Sequence, residues 1–432
     1  MLMEESMNLK SLTLIGANGI MGANIAAIFA SFGRVKVYMI ARTMDKAIAA
    51  KERDCKSIKD DRLNSLLVPK TYNDLKECIK ESDAVFESVC ENFETKFEIN
   101  QSISKYLTPD KYVFTGTSGI SISELAKAFS EDIAKHYCGM HFSNPPYSMT
   151  MGEMIKGEST DISFFEEACA YAKDILRRDV FVANDTPGFL GNRIAFRLLN
   201  EALQGAVDEF DDKGGIDYID SLFRGYTGRL MAPLKTINLA KLNVYKPIVD
   251  NIYEKMQGID PFVDDYKMPD KINKLMDIQS NEGVSPCIYT KTDNVSKVYD
   301  VKTNEFRDVQ AYRIEWIDEI NGLLREGYYD KARDVFLSID TYEARFCKKL
   351  LVKYILHALM IAHNENVQLK AVDIAIASGY NWCPPLALIE YFGGKDTIKT
   401  LVKELKIDID VEMLLKDVIP SDYDYRRYLR VS

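Results

Sequence analysis

The chain has 432 residues, long enough for two or three domains of roughly 100–200 residues each. An apolar fraction of 47% provides for a sizeable core. Lys+Arg of 55 against Asp+Glu of 65 gives a net charge of -10, which argues against a nucleic-acid or anionic-membrane surface.

The first third alternates short apolar runs with helical patterns. Strands are expected at residues 11–16 (SLTLIG), 35–41 (VKVYMIA), 84–89 (AVFESV), 111–116 (KYVFTG) and 136–142 (HYCGMHF). Each is short, rich in β-branched or aromatic residues, and bounded by turn formers. Helices are expected at residues 21–32 and 122–129. Such alternation predicts an α/β architecture, a Rossmann-type doubly wound parallel sheet with helices on both faces.

Beyond about residue 185 the pattern becomes helical. Residues 189–210 (FLGNRIAFRLLNEALQGAVDEF) space their apolar positions at three and four, so one long amphipathic helix follows the Thr-Pro-Gly break. Residues 258–310 read as a loop-rich connector with Tyr and Phe anchors and room for a short hairpin, and helical patterns resume at residue 311. A weak internal repeat sets Leu198 against Leu350, Gly225-Tyr226 against Gly379-Tyr380, and Pro233-Leu234 against Pro385-Leu386. It predicts two copies of one helical domain, with chance similarity between helical stretches as the alternative. The expected division is 1–186 for the dinucleotide-type domain, 187–257 for a first helical domain, 258–310 for the connector and 311–432 for a second helical domain.

Within the first strand-helix unit lies LIGANGIMGANIAAIF, with glycines at Gly16, Gly19 and Gly22. A glycine-rich turn between strand and helix lets backbone N–H groups approach a pyrophosphate, and the helix N-terminus adds favourable partial charge. Asn18 makes the turn one residue longer than the common G-x-G-x-x-G, and Asn tolerates left-handed backbone. The expected cofactor contacts are Gly16, Asn18, Gly19, Ile20, Met21 and Gly22. The second strand ends in Ala41, Arg42 and Thr43 (ART), where an NAD site ordinarily has an acidic residue for the ribose hydroxyls. Arg42 suits a 2'-phosphate, so NADP is favoured over NAD; a merely solvated Arg42 is the alternative.

The eight cysteines form no C-x-x-C pair and no zinc spacing, so no metal site is expected and the thiols are read as reduced. The first ten residues carry no apolar leader core, and no apolar run approaches the ~18 residues of a membrane span. Cytoplasmic location is the expectation. His357 and His363 sit on an apolar helix and read as core or surface histidines.

The segment HYCGMHFSNPPYSMTMGEMIKGE puts His141 at a strand end with Glu153 twelve residues later. A carboxylate on one imidazole nitrogen fixes the tautomer and raises the basicity of the other. Alone, that spacing specifies little. Four motifs in order, however, resemble the L-3-hydroxyacyl-CoA dehydrogenase family, and in particular the dehydrogenase portion of multifunctional fatty-acid oxidation proteins. They are GIMGANIA, DAVFESVCEN, CGMHFSNP with Glu153, and NDTPGFLGNR. The likeness is good over residues 10–257 and looser over 258–432.

The resemblance implies oxidation of a 3-hydroxyacyl-CoA, or reduction of a 3-ketoacyl-CoA, as in fatty-acid β-oxidation. It implies His141 as general base, Glu153 orienting it, and Ser118 and Asn192 bonding the reacting oxygen. Glu91 and Lys96 would line the nicotinamide side, and Asn144 would face the thioester carbonyl. It further implies tandem helical domains of 6-phosphogluconate-dehydrogenase-like C-terminal fold. These would make a monomer with an internal pseudo-dimer, or a homodimer, whose second copy carries no catalytic His motif of its own. Departures are Gly116 in place of an Asn, the lengthened glycine turn, Ala41-Arg42, and a shortened segment before Asp83. In the family that segment is a helical hairpin contacting coenzyme A. Here Lys46, Lys51, Arg53, Lys56, Lys59 and Arg62 are left to meet CoA phosphates or to form a solvated face. Two other readings stay open: a dehydrogenase of a non-CoA 3-hydroxy acid, and a silent NAD(P)-binding structural protein.

Overall fold

The computed structural model describes residues 7–223 and 225–430. Residues 1–6, used in the leader argument, and Arg224, inside the repeat, lie outside the described residues. Contacts divide the chain into Met1–Phe189 and Leu190–Ser432. Residues 187–189 of the first expected helical domain fall in the first of these, and the remainder of the helical domains and the connector in the second.

The first unit is built on an eight-stranded sheet. In chain order the strands are β1 (Ser11–Ile15), β2 (Lys36–Ala41), β3 (Leu67–Thr71), β4 (Ala84–Glu87), β5 (Tyr112–Thr115), β6 (Tyr137–His141), β7 (Met151–Lys156) and β8 (Asp179–Ala183). The spatial order is β3-β2-β1-β4-β5-β6-β7-β8. β1 to β6 are mutually parallel; β7 runs antiparallel to β6, and β8 runs parallel to β7. Strand order reverses between β1 and β4, which is where such sheets open a ligand crevice at their C-terminal edge. β1 pairs on both edges, Leu12 with Val37 and with Ala84, and Leu12 to Ile15 are all buried, so apolar residues appear on both faces, interrupted only by Thr13. Helix α1 (Ile20–Ser31) buries Ile25, Ile28 and Phe29 in the core with Phe86, Phe114 and Met140.

The five expected strands are present, and three more were not legible. β3 (LVPKT) is an edge strand that tolerates Pro69. β7 (MGEMIK) is rich in weak strand formers and takes its conformation from pairing. β8 (DVFVA) is the opposite edge, alternating buried and exposed positions. Between β2 and β3 the basic segment forms α2 (Met44–Ile58), then a single turn at Leu63–Leu66. Lys46, Arg53, Lys56, Lys59 and Arg62 are exposed and Lys51 half-buried. Arg62 pairs with Asp60 at 2.7 Å, and Lys51 donates to Asn64 O at 2.7 Å.

The second unit is organised on two long helices packed against each other, α4 (Gly191–Asp208) and α8 (Tyr342–Asn364). After α4 come α5 (Ile216–Leu222) and α6 (Pro233–Ala240); after α8 come α9 (Leu369–Tyr380) and α10 (Pro385–Tyr391). The two series share a device. Asp220 Oδ1 accepts from Leu234 N at 2.8 Å at the start of α6, and Asp373 Oδ1 accepts from Leu386 N at 2.9 Å at the start of α10. Both aspartates are buried, and burial raises their pKa values, to about 6 for Asp220 and about 7 for Asp373.

Residues 258–310 carry the short hairpin that was expected, but are less loop-rich than the expectation. They carry the helix α7 (Asp270–Asn281) and an antiparallel sheet of β9 (Tyr289–Thr292), β10 (Val295–Asp300) and β11 (Glu305–Asp308). Asp293 and Asn294, both at positive φ, close the β9-β10 hairpin, the turn chemistry a two-residue loop demands. Arg307 grips Asp217 of α5 through both guanidinium nitrogens, at 2.7 and 2.8 Å.

Candidate active site

The turn after β1 has the shape of a phosphate cradle. Gly16 lies at φ +87°, and a Cβ there would stand 2.3 Å from Ser88 O, on the strand-end loop across the switch point. A Cβ on Gly22 would stand 2.4 Å from Gly16 O. Gly19 is less constrained, its Cβ meeting Gly16 O at 3.4 Å. Gly16 N and Ala17 N both donate to Ile40 O at 3.1 Å, tying the turn to the end of β2. α1 starts with Gly19 as an N-cap without a side-chain cap, and its first turn has no acidic residue. Its leading N–H groups are therefore suited to an anionic pyrophosphate. Asn18 and Met21 are half-buried; Gly19 and Ile20 are exposed at the same end.

Arg42 is exposed at the end of β2, and the buried Ala41 before it has no carboxylate. Thr43 caps α2, its hydroxyl accepting from Lys46 N at 3.4 Å. Next to β4, the buried Lys96 of α3 (Phe93–Ser104) donates to Glu87 Oε1 at 3.0 Å and lies 3.5 Å from Glu91 Oε2. Burial opposes the ammonium, but the two carboxylates outweigh it and hold Lys96 above its ordinary pKa. Glu91 Oε1 accepts from Thr117 Oγ1 at 2.6 Å and from Ser118 N at 2.7 Å. Glu87 Oε2 accepts from Thr115 Oγ1 at 2.7 Å. A continuous polar chain thus runs along the C-terminal ends of β4 and β5 and fixes the backbone of Ser118.

His141 ends β6 and Glu153 lies on β7, directly opposite it in register. His141 Nδ1 and Glu153 Oε2 are 2.7 Å apart, with Glu153 fully buried and His141 5% exposed. The twelve-residue spacing is therefore a cross-strand pair on an antiparallel turn-back. Asn144, in the connecting loop, is exposed. Phe189 stands beside His141 with ring centroids 6.1 Å apart. Asn192 belongs to the second unit, in the first turn of α4, where its Oδ1 accepts from Tyr380 OH at 2.5 Å. His357, read as core or surface, is fully buried with Nε2 2.9 Å from Asp260 Oδ2.

Sequence reading missed Glu87, Thr115 and Thr117. The clue for Glu87 was an acidic residue inside the apolar strand AVFESV. It also missed Asp185, whose carboxylate accepts from Ser121 Oγ and from the N–H groups of Ile122 and Ser123 at 2.8–2.9 Å. That contact ties the NDTPGF segment to the first unit. Among the described residues no group of three or more His, Cys, Asp or Glu is placed to hold a metal.

Residues 11–186 match the family model described as 3-hydroxyacyl-CoA dehydrogenase, NAD binding domain. A probable 3-hydroxyacyl-CoA dehydrogenase of Bacillus subtilis is 27% identical over 290 residues, covering 60% of this chain and 36% of that protein. The chain thus spans about a third of that relative's length. The mitochondrial hydroxyacyl-coenzyme A dehydrogenase of Mus musculus is 28% identical over 261 residues, 57% of this chain and 81% of that one. The crystal structure of 3-hydroxybutyryl-CoA dehydrogenase from Escherichia coli K12 matches with TM-score 0.67 at 18% identity, over 93% of this chain and 95% of that chain, a likeness of fold. The glycine turn and the His141–Glu153 pair both lie inside residues 11–186, the part of the chain that matches the 3-hydroxyacyl-CoA dehydrogenase NAD binding domain.

Proposed function

We propose that this chain interconverts L-3-hydroxyacyl-CoA and 3-ketoacyl-CoA thioesters with a nicotinamide dinucleotide. The observation that carries the reading is the His141–Glu153 pair at the edge of the sheet where ligands bind. Glu153 holds the proton on Nδ1, which leaves Nε2 as the base that takes the 3-hydroxyl proton during oxidation and returns it during reduction. The nicotinamide, when bound, supplies or accepts the hydride at the same carbon. Ser118 and Asn192 are assigned as donors to the reacting oxygen, Asn144 to the thioester carbonyl, and Glu91 and Lys96 to the nicotinamide side of the cofactor. The uncapped start of α1 and the two glycines that admit no Cβ fit the pyrophosphate.

NADP is the proposed preference, because Ala41 removes the carboxylate that would repel a 2'-phosphate and Arg42 stands exposed next to it. The two helical series in one chain support an internal pseudo-dimer. The eight unbridged cysteines fit a reducing, cytoplasmic setting.

The test is reduction of acetoacetyl-CoA followed by loss of NADPH or NADH absorbance, with free acetoacetate in parallel. The thioester is expected to turn over, NADPH to be preferred, and His141→Ala to be inactive. Equal turnover of the free acid transfers the reading to a non-CoA substrate. Full activity of His141→Ala, or no oxidation of either cofactor, sinks it.

A further inference from the structure

Within the first unit, the loop of residues 142–150 joins the end of β6 to the start of β7, and so joins His141 to the strand of Glu153. It carries the exposed Asn144, three residues after His141. Pro145 and Pro146 have no N–H, so the loop has few donors of its own. Ser148 N and Met149 N both donate to Pro145 O, at 3.1 and 3.0 Å, and close a single turn. Pro146 is buried beneath it, and its carbonyl needs a donor from elsewhere.

That donor is Arg178, which stands just before β8. β7 runs antiparallel to β6 and β8 runs parallel to β7, so β8 starts at the edge where β1 to β6 end, the edge at which such sheets bind ligands. Arg178 is 4% exposed. Its Nη1 donates to Pro146 O at 2.9 Å and to Met149 O at 3.1 Å, and its Nε to Leu176 O at 2.8 Å. A guanidinium only donates, so the direction of these bonds is fixed. A Cβ on Gly152 would stand 2.8 Å from Arg178 Cβ, so β7 has a glycine where that side chain crosses it. The guanidinium carbon lies 5.5 Å from the centre of the Phe32 ring, and Phe32 packs on Tyr147 of the loop with centroids 5.7 Å apart.

Burial works against the charge and holds the Arg178 pKa below its ordinary value, with Asp179 and Tyr147 pulling the other way. The Asp179 carboxylate is bonded to Thr150 Oγ1 and not to Arg178. The buried cation is thus spent on backbone carbonyls, two of them in one loop, and only the arginine fork presents donors in that geometry. We propose that Arg178 is a positioning residue for the substrate, holding the 142–150 loop so that Asn144 meets the thioester carbonyl. The proposal rests on the assignment of Asn144 to that carbonyl.

Lys111 provides a matched control. It too is a buried cation that donates to backbone carbonyls, Lys80 O at 3.2 Å and Ser82 O at 2.6 Å. It precedes β5, however, and so lies at the opposite edge of the sheet.

The experiment is steady-state kinetics of the full chain with acetoacetyl-CoA and the preferred nicotinamide cofactor, together with melting temperatures. The variants are Arg178→Gln, Arg178→Lys, Asn144→Ala, the Arg178→Gln/Asn144→Ala double variant, Lys111→Gln and His141→Ala. Arg178→Gln is expected to raise the KM for acetoacetyl-CoA about tenfold, the span of one charge-assisted hydrogen bond, and to leave the cofactor KM unchanged. Arg178→Lys keeps a donor to the loop but loses the fork, and its thioester KM is expected to rise about threefold. The double variant is expected to lose no more than the larger single loss. Lys111→Gln is expected to lower the melting temperature and leave both KM values intact.

A parental thioester KM in Arg178→Gln overturns the inference, as does an equal rise in its cofactor KM. So does the same rise in Lys111→Gln, which would mark a general loosening, or a double variant whose loss is the product of the single losses. If Arg178→Gln does not fold, Arg178→Lys decides: a raised thioester KM with an unchanged cofactor KM supports the inference, and a parental KM overturns it. A parental KM in Asn144→Ala removes the assignment of Asn144 and the inference with it. In each of these cases an inactive His141→Ala leaves the functional reading standing; an active His141→Ala overturns that reading and the inference together.

Discussion

The sheet unit and the helical unit both bury charge, and they dispose of it differently. In the first, buried carboxylates sit at the C-terminal ends of strands, Glu87 on β4 and Glu153 opposite the end of β6, each bonded to a group beside the ligand crevice. In the second, Arg193, Arg197 and Lys353 form a seam between α4 and α8, paired with Asp260, Asp265, Glu201 and Glu365. A parallel sheet ends its strands at one edge, so polar side chains there share an opening. Helices packed along their lengths have no such edge, and a buried ion pair between them has only its partner to serve. The first arrangement gathers polar side chains at one sheet edge; the second sets which residues of two helices face each other.

Four substitutions sharpen or break that contrast. The largest effect is expected from Glu153→Ala, which frees the His141 ring: kcat falls about 10²–10⁴-fold while nicotinamide binding, followed by fluorescence, is kept. Comparable activity in the variant would make the pair a structural contact. Next is Arg193→Ala. It takes the guanidinium away from the buried Asp260 and from Glu365, and the denaturation free energy is expected to drop by about 3–5 kcal/mol. A stable variant would show the seam to be dispensable. Third, Arg42→Ala is expected to raise the KM for NADPH about tenfold or more and leave that for NADH unchanged, the loss of one charge-assisted bond. An equal effect on both would remove the 2'-phosphate role.

The smallest effect concerns Asp54, buried on α2 with Oδ2 unbonded. Burial raises its pKa to about 6 against the opposing pull of Arg53. The folded state therefore holds the proton more tightly than the unfolded chain. The stability this contributes is complete below the ordinary Asp pKa and is lost as pH rises through about 6. Asp54→Asn cannot ionise, so it should melt ~2–4 °C higher than the parent at pH 8 and no higher near pH 4. An identical offset at both pH values would contradict the sign.

Much of the first unit was legible because its signals are local. Strand, glycine turn and apolar helix follow one another within residues 11–31, and Ala41-Arg42 follows one strand later. His141 and Glu153 were visible as residue types at a spacing, yet their contact needs the register of β6 on β7. Nothing in MGEMIK announces a strand. The Lys96–Glu87 pair, the anchoring of Ser118 by Glu91, and the helix within residues 258–310 were likewise not read from the sequence, whereas the short hairpin there was expected.

The amino-acid sequence by itself determined the alternation of strands and helices in the first unit, the glycines of its first turn and the residue types that pair as His141 and Glu153. Those follow from backbone geometry and side-chain chemistry within a few residues. The tertiary structure alone decided which carboxylate meets which base, which cation is neutralised, and which tyrosine reaches Asn192. The last of these joins positions 188 residues apart, and the orientation of one hydroxyl on one amide leaves no trace in hydrophobic periodicity.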